Sequence, residues 1–248
     1  MTSARATWWQ KVKDTPSAML LAVQLSAVLI YPFLEDSRPG RAIFSVIGIA
    51  VLGLAVLAVR RTPSITWVSI LFAAPALVLL AAQVFSQASW LTTWSAGFEA
   101  ALYFYAGYAL IRYMFADHVV TTDELFAVGA TFTLLAWAFA YVYVVVQAVE
   151  PHSFIAAVDS DDPRTWIELL FLSFTTLSST GLSDVVPVKP FARSVVMIEQ
   201  VAGMLYIAMI VARMVGLTFA RISRRDLGDA PTRSSVQHPA DAPEPSQD

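Results

Sequence analysis

Long uncharged stretches broken by short polar junctions dominate this chain. The first stretch, Thr15–Leu34, has the ~20 apolar residues one helix needs to cross a bilayer core. Glu35, Asp36, Pro39 and Gly40 mark its end. Ala42–Val59 follows and is stopped by Arg60 and Arg61. The uncharged tract Thr62–Phe98 is too long for one helix. Divided near Ser86–Ser89, it gives predicted spans at Ile65–Val84 and Leu91–Met114. Pro75 should bend the former, because proline removes an intrahelical hydrogen bond. A polar junction with Asp117, His118, Asp123 and Glu124 precedes a fifth span, Leu125–Val149, and Phe191–Leu217 is the sixth. Between these two lies an acidic stretch, Glu150–Pro163, and then an apolar piece, Arg164–Ser179, too short to cross, which is the length of a re-entrant or interfacial segment. The pattern predicts an all-α integral membrane protein with six transmembrane helices and one shorter helix.

Composition sharpens this. Of 248 residues 57% are hydrophobic and 14% charged, against about a quarter charged in soluble domains. A soluble enzyme, a disordered scaffold and an electrostatic nucleic-acid binder are all disfavoured, and the lipid bilayer is the expected surrounding. The absence of Cys excludes disulfides, thiolate metal sites and thiol nucleophiles, and the three His are scattered. No metal site, no cofactor and no enzymatic activity are expected. No Gly-rich phosphate loop and no nucleophile–base set is present.

The few charges are also placed asymmetrically. Arg5, Lys11, Lys13, Arg60, Arg61, Arg112, Arg213, Arg221, Arg224, Arg225 and Arg233 fall on one side of the six predicted spans, and Arg38, Arg41, Arg164, Lys189 and Arg193 on the other. Positive residues stay cytoplasmic, so both termini are expected inside, in a multi-pass protein of the cell's inner (plasma) membrane. Residues 1–14 read as a cytoplasmic N-terminal segment and residues 221–248 as a disordered cytoplasmic tail.

Asp162–Pro190 carries the most chemistry. Asp162–Pro163 can start a helix, and Thr165 with Glu168 forms a capping box if the start is later. That helix should stop near Leu177, where hydroxyl residues take over. The segment reads either as a helix that dips into the membrane and returns as extended chain, or as a surface loop closing on an interfacial helix. In the first case hydroxyls and backbone carbonyls replace an ion's hydration shell, which takes several copies of the chain.

The run Thr175-Thr176-Leu177-Ser178-Ser179-Thr180-Gly181-Leu182-Ser183-Asp184, followed by Val185, Val186 and Pro187, resembles the pore module of the tetrameric potassium channel superfamily. There the pattern is roughly T-T-x-T-T-V-G-Y-G-D-x-x-P. The resemblance covers about Asp123–Leu217 and is to the prokaryotic six-span form. It implies a voltage-gated-channel-like architecture: a four-helix sensor-like domain over residues 15–118 and a pore domain over 119–220, comprising outer helix, pore helix, filter loop and inner helix. It also implies a homotetramer passing monovalent cations. The filter positions are Ser179, Thr180, Gly181, Leu182 and Ser183, supported by Thr175, Thr176, Ser178, Asp184, Trp166 and Glu199. Asp184 matches the acid that braces the family's filter, with Trp166 or Thr165 as its partner here.

The filter is non-standard. Leu182 replaces an aromatic residue and Ser183 a glycine; serine in a left-handed backbone costs ~1 kcal/mol or more, so a different local backbone is expected. Selectivity should be weak or altered. The alternatives are a channel for a different ion, or a non-conducting protein that keeps the fold as a scaffold or sensor. The fourth span offers only Arg112, ~20 Å along the helix from its one acid, Glu99, so steep voltage gating is not expected. In the inner helix, Glu199 is either a structural hydrogen-bonding group at the pore helix or a pore-facing cation site. Gly203 is a bend or a close-packing point. Gly203, Ile207, Ile210 and Met214 share a stripe that either lines the lower pore or packs against neighbouring helices.

Overall fold

The computed structural model describes residues 15–34, 50–51, 53–54, 66–85, 88–116, 121–158 and 162–228. Most of the predicted second span, the N-terminal segment 1–14 and residues 229–248 lie outside them. The helices are α1 (Pro16–Leu34), α2 (Thr66–Phe85), α3 (Ser89–Met114), α4 (Thr122–Val149), α5 (Trp166–Leu177) and α6 (Pro190–Gly228). Two short strands, β1 (Phe154–Ile155) and β2 (Val186–Pro187), complete the order.

Local chemistry sets most boundaries. Pro16 and Pro190 open α1 and α6 at the position where a missing N–H costs nothing. Thr121 caps α4, its Oγ1 accepting from Glu124 N at 3.2 Å, with Asp123 and Glu124 in the favourable first turn. For α5 the later of the two predicted starts is taken. Thr165 Oγ1 accepts from Glu168 N at 3.4 Å, and Glu168 Oε2 accepts from Thr165 N at 2.6 Å. One expectation is corrected: the inner helix continues through Gly228, so a disordered tail does not begin at 221. Residues 221–227 contain neither proline nor glycine, and nothing stops the helix before Gly228.

Three of these helices are long and apolar enough to cross a membrane: Pro16–Phe33, Thr122–Val149 and Pro190–Leu217. Within α2, Trp67–Gln83 is a shorter apolar helix. Helix α5, with 12 residues, is ~18 Å long, against a hydrocarbon core of ~30 Å.

Helix α4 is the hub. It packs against α1, α3, α5 and α6. Ala130, Ala136, Ala138 and Ala140 are buried on it, and such small residues let neighbouring backbones come close. Its N-terminus is tied to α1: Asp123 Oδ1 accepts from Ser17 N and Oδ2 from Ser17 Oγ, both at 3.0 Å. Its C-terminal part is tied to the start of α5. There Gln147 donates to Arg164 O at 3.0 Å and accepts from Arg164 N at 2.8 Å.

After α5 the chain returns to where it left α4. Strands β1 and β2 pair antiparallel, Phe154 opposite Pro187 and Ile155 opposite Val186. The 178–185 segment is thus held at both ends, by the last turn of α5 and by this ribbon.

Candidate functional site

The last turn of α5 governs the filter-like segment. Its orphan carbonyls, which no intrahelical N–H satisfies, accept from the residues that follow. Ser179 N donates to Thr176 O at 3.0 Å, and Thr180 N and Gly181 N both donate to Thr175 O, at 2.9 and 3.1 Å. Every peptide bond here is trans, and in a planar trans peptide C=O and N–H point in opposite directions. The carbonyls of Ser178, Ser179 and Thr180 therefore point away from α5. Residues 179–182 are exposed along this stretch, and none of the three carbonyls is bonded within the described residues.

Two left-handed residues produce the turn: Ser179 at φ 60° and Gly181 at φ 66°. Gly181 adopts this region at little cost, whereas Ser179 gives up ~1–2 kcal/mol. Ser183 is not left-handed. Its Oγ instead accepts from Val185 N at 3.1 Å, a local turn. The backbone here thus bends at Ser179 and Gly181, not at Ser183.

The hydroxyls are used locally. Thr180 Oγ1 donates to Thr175 O at 3.3 Å and lies 3.0 Å from Ser178 Oγ; Thr175 Oγ1 donates to Leu172 O at 2.9 Å. Leu182 is 77% exposed. The brace expected from Asp184 is corrected. Asp184 is exposed and bonds neither Thr165 nor Trp166. Thr165 is committed to its capping box, and the Trp166 ring lies against Tyr31, Trp137 and Tyr141, with centroids 5.2 to 5.8 Å away.

Behind α5, Glu199 is fully buried. Tyr143 Oη of α4 donates to its Oε2, and Ser173 Oγ of α5 meets its Oε1. It faces protein, so the pore-facing cation site is corrected in favour of the hydrogen-bonding role. Gly203, one turn further, is a close-packing point: a Cβ there would lie 2.2 Å from Leu177 O. The predicted stripe divides. Gly203 packs on α5, and Ile210, 8% exposed, packs with Met114, Ala127 and Tyr206, joined by Met214. Within one chain these three pack against neighbouring helices, the second of the two expected roles, whereas Ile207 is exposed with Met204, Val211 and Val215.

Sequence reasoning missed the lower clamp. Arg213 Nη2 and Glu124 Oε2 pair at 2.9 Å, with side chains 6% and 2% exposed, and the guanidinium carbon sits 5.0 Å from the Phe115 ring centroid. The signal was present in an acid in the first turn of α4 and an arginine, Arg213, set within the apolar run of α6. Glu99, in α3, accepts from Ser95 Oγ at 2.7 Å and bonds Tyr141 of α4.

Residues 129–220 match the family model described as an ion channel. The match takes in α4 from Gly129, α5, the filter-like segment and most of α6, and it supports a membrane ion channel. No curated protein and no solved structure matches the chain.

Proposed function

We propose that the protein is a homotetrameric, six-span membrane channel that passes monovalent cations, potassium among them, with weak or altered selectivity and without steep voltage gating. The observation that carries this reading is the alignment of the Ser178, Ser179 and Thr180 carbonyls away from α5, without partners among the described residues and leading into the exposed stretch 179–182. Carbonyl oxygens so presented replace an ion's hydration shell, and four copies around an axis make a ring of them. The C-terminal end of α5, where a helix dipole favours cations, adjoins the same stretch.

Two further features agree. Met197, Ile198, Val201, Met204 and Leu205 on α6 are exposed large apolar residues, a surface suited to neighbouring copies of the chain. Helix α3 carries Arg112 in its last turn and no ladder of arginines above it, so little gating charge is available to the membrane potential. Permeation of this kind lowers a barrier by ligand replacement and needs no catalytic chemistry.

A second reading, a non-conducting protein of the same architecture, is favoured by one observation: Asp184 is exposed and bonds neither Thr165 nor Trp166, the partners expected for its brace. Flux separates the two. Purified protein in liposomes with a potassium gradient is expected to show cation flux. An intact tetramer with no flux across a range of pH and voltage would overturn the channel reading.

A further inference from the structure

The hydrogen count around Glu199 carries information that its burial alone does not. Ser173 Oγ lies 2.8 Å from Ala136 O and also meets Glu199 Oε1. A serine hydroxyl has one hydrogen to donate, and a backbone carbonyl only accepts. An ionised carboxylate also only accepts. With Glu199 ionised, one of the two contacts at Ser173 would oppose oxygen lone pairs with no hydrogen between them. Each contact has a hydrogen of its own in one arrangement: a proton on Oε1 donates to Ser173 Oγ, and Ser173 donates to Ala136 O. Tyr143 Oη donates to the other oxygen, Oε2, which is the acceptor side of a neutral acid. The result is a one-directional chain from Tyr143 through Glu199 and Ser173 to Ala136, joining α4, α6 and α5.

Among the described residues the surroundings supply no cation to pair with a carboxylate at Glu199. From α4 the titratable group facing Glu199 is Tyr143, and from α5 the facing group is Ser173, which does not titrate. On α6 itself, Arg213 pairs with Glu124 and Arg193 donates to Pro187 O. Glu199 takes part in no ion pair among the described residues.

We propose that Glu199 is a proton-binding site: its neutral acid form pins the back of α5 to α4 and α6, and loss of its proton to water releases α5. Once Oε1 has lost its hydrogen, Ser173 has one hydrogen for both Ala136 and Glu199, and a carboxylate held by Tyr143 but with no cation beside it among the described residues is left inside the apolar helix cluster. The filter-like segment hangs from the last turn of this same α5, so release is passed to it directly. The assignment stands independently of conduction, since the acid itself can be observed.

The test is an infrared difference spectrum, wild type minus Glu199→Gln, of the full chain in lipid at neutral pH. The expected result is the carbonyl stretch of a neutral carboxylic acid, absent from the variant. Tyr143→Phe should keep that band and move it to higher frequency, because the carbonyl oxygen loses its donor. A glutamine amide keeps an acceptor oxygen for Tyr143 and an N–H donor for Ser173, with one further N–H, so Glu199→Gln should assemble; the melting temperature of the wild type is expected to fall on alkaline titration and that of the variant is not. No neutral-acid band, a band that Tyr143→Phe leaves in place, or a Glu199→Gln chain that fails to assemble would each overturn the proposal.

Discussion

Gly203 gives the sharpest residue-scale expectation, because a Cβ at that position would meet Leu177 O at 2.2 Å. Backbone cannot swing aside as a flexible side chain does. Gly203→Ala is expected to force α5 and α6 apart and cost ~1–3 kcal/mol, the usual range for overpacking, seen as a lower melting temperature in detergent. An unchanged melting temperature would mean that the two helices do not touch there. The filter departures give a second expectation. Leu182→Tyr combined with Ser183→Gly removes the Ser183–Val185 turn and brings in the residue types of the potassium-channel pattern that the segment resembles, so ion selectivity should change. If selectivity and backbone stay as they were, Leu182 and Ser183 do not shape the pathway. What the sequence revealed at this scale was type and not partner. Glu199 was legible as a buried acid needing a hydrogen-bonding neighbour. Tyr143, 56 residues away, was not, because that pairing depends on how two helices align along their length.

At the scale of elements, the helix boundaries were legible wherever a charge or a proline marks them. Thr165 and Glu168 announced the start of α5, and the change to hydroxyl residues announced its end. The extension of α6 to Gly228 was not legible, because Arg221, Arg224 and Arg225 read equally as a solvated tail and as a helix end. The β1–β2 ribbon was hidden too, since two residues a side leave no alternation to see. The clamp between α4 and α6 is the element contact most open to test. Removing one partner of a buried ion pair costs ~3–5 kcal/mol, since the other charge is left stranded. Arg213→Ala and Glu124→Ala should each destabilise the protein by amounts of that order. The combined Arg213→Glu and Glu124→Arg exchange should recover part of the loss. Single variants with melting curves like the wild type would show that the pair is not closed in the membrane.

For the whole molecule, two levels of argument meet at one place. The uncharged blocks and sparse charges of the sequence point to a bilayer, and three helices have the length and apolar composition to cross it. The family match over residues 129–220 supports an ion channel in the same part of the chain that holds α5 and its aligned carbonyls. The direction of those carbonyls was not legible in the sequence. It follows from which N–H groups turn back to Thr175 and Thr176, and so from the left-handed Ser179, a conformation serine rarely adopts. An axial pathway also requires copies of the chain to meet along the exposed face of α6. Mass measurement in gentle detergent is expected to give a tetramer, and a monomer or dimer would remove the ring on which permeation depends.

The most direct measurement of permeation is the reversal potential of purified protein in a planar bilayer with unequal potassium chloride on its two sides. Carbonyl oxygens carry partial negative charge, so the current is expected to reverse near the potassium equilibrium potential, with little contribution from chloride. Reversal near the chloride potential, or no current from an assembled tetramer, would contradict a cation pathway lined by Ser178, Ser179 and Thr180.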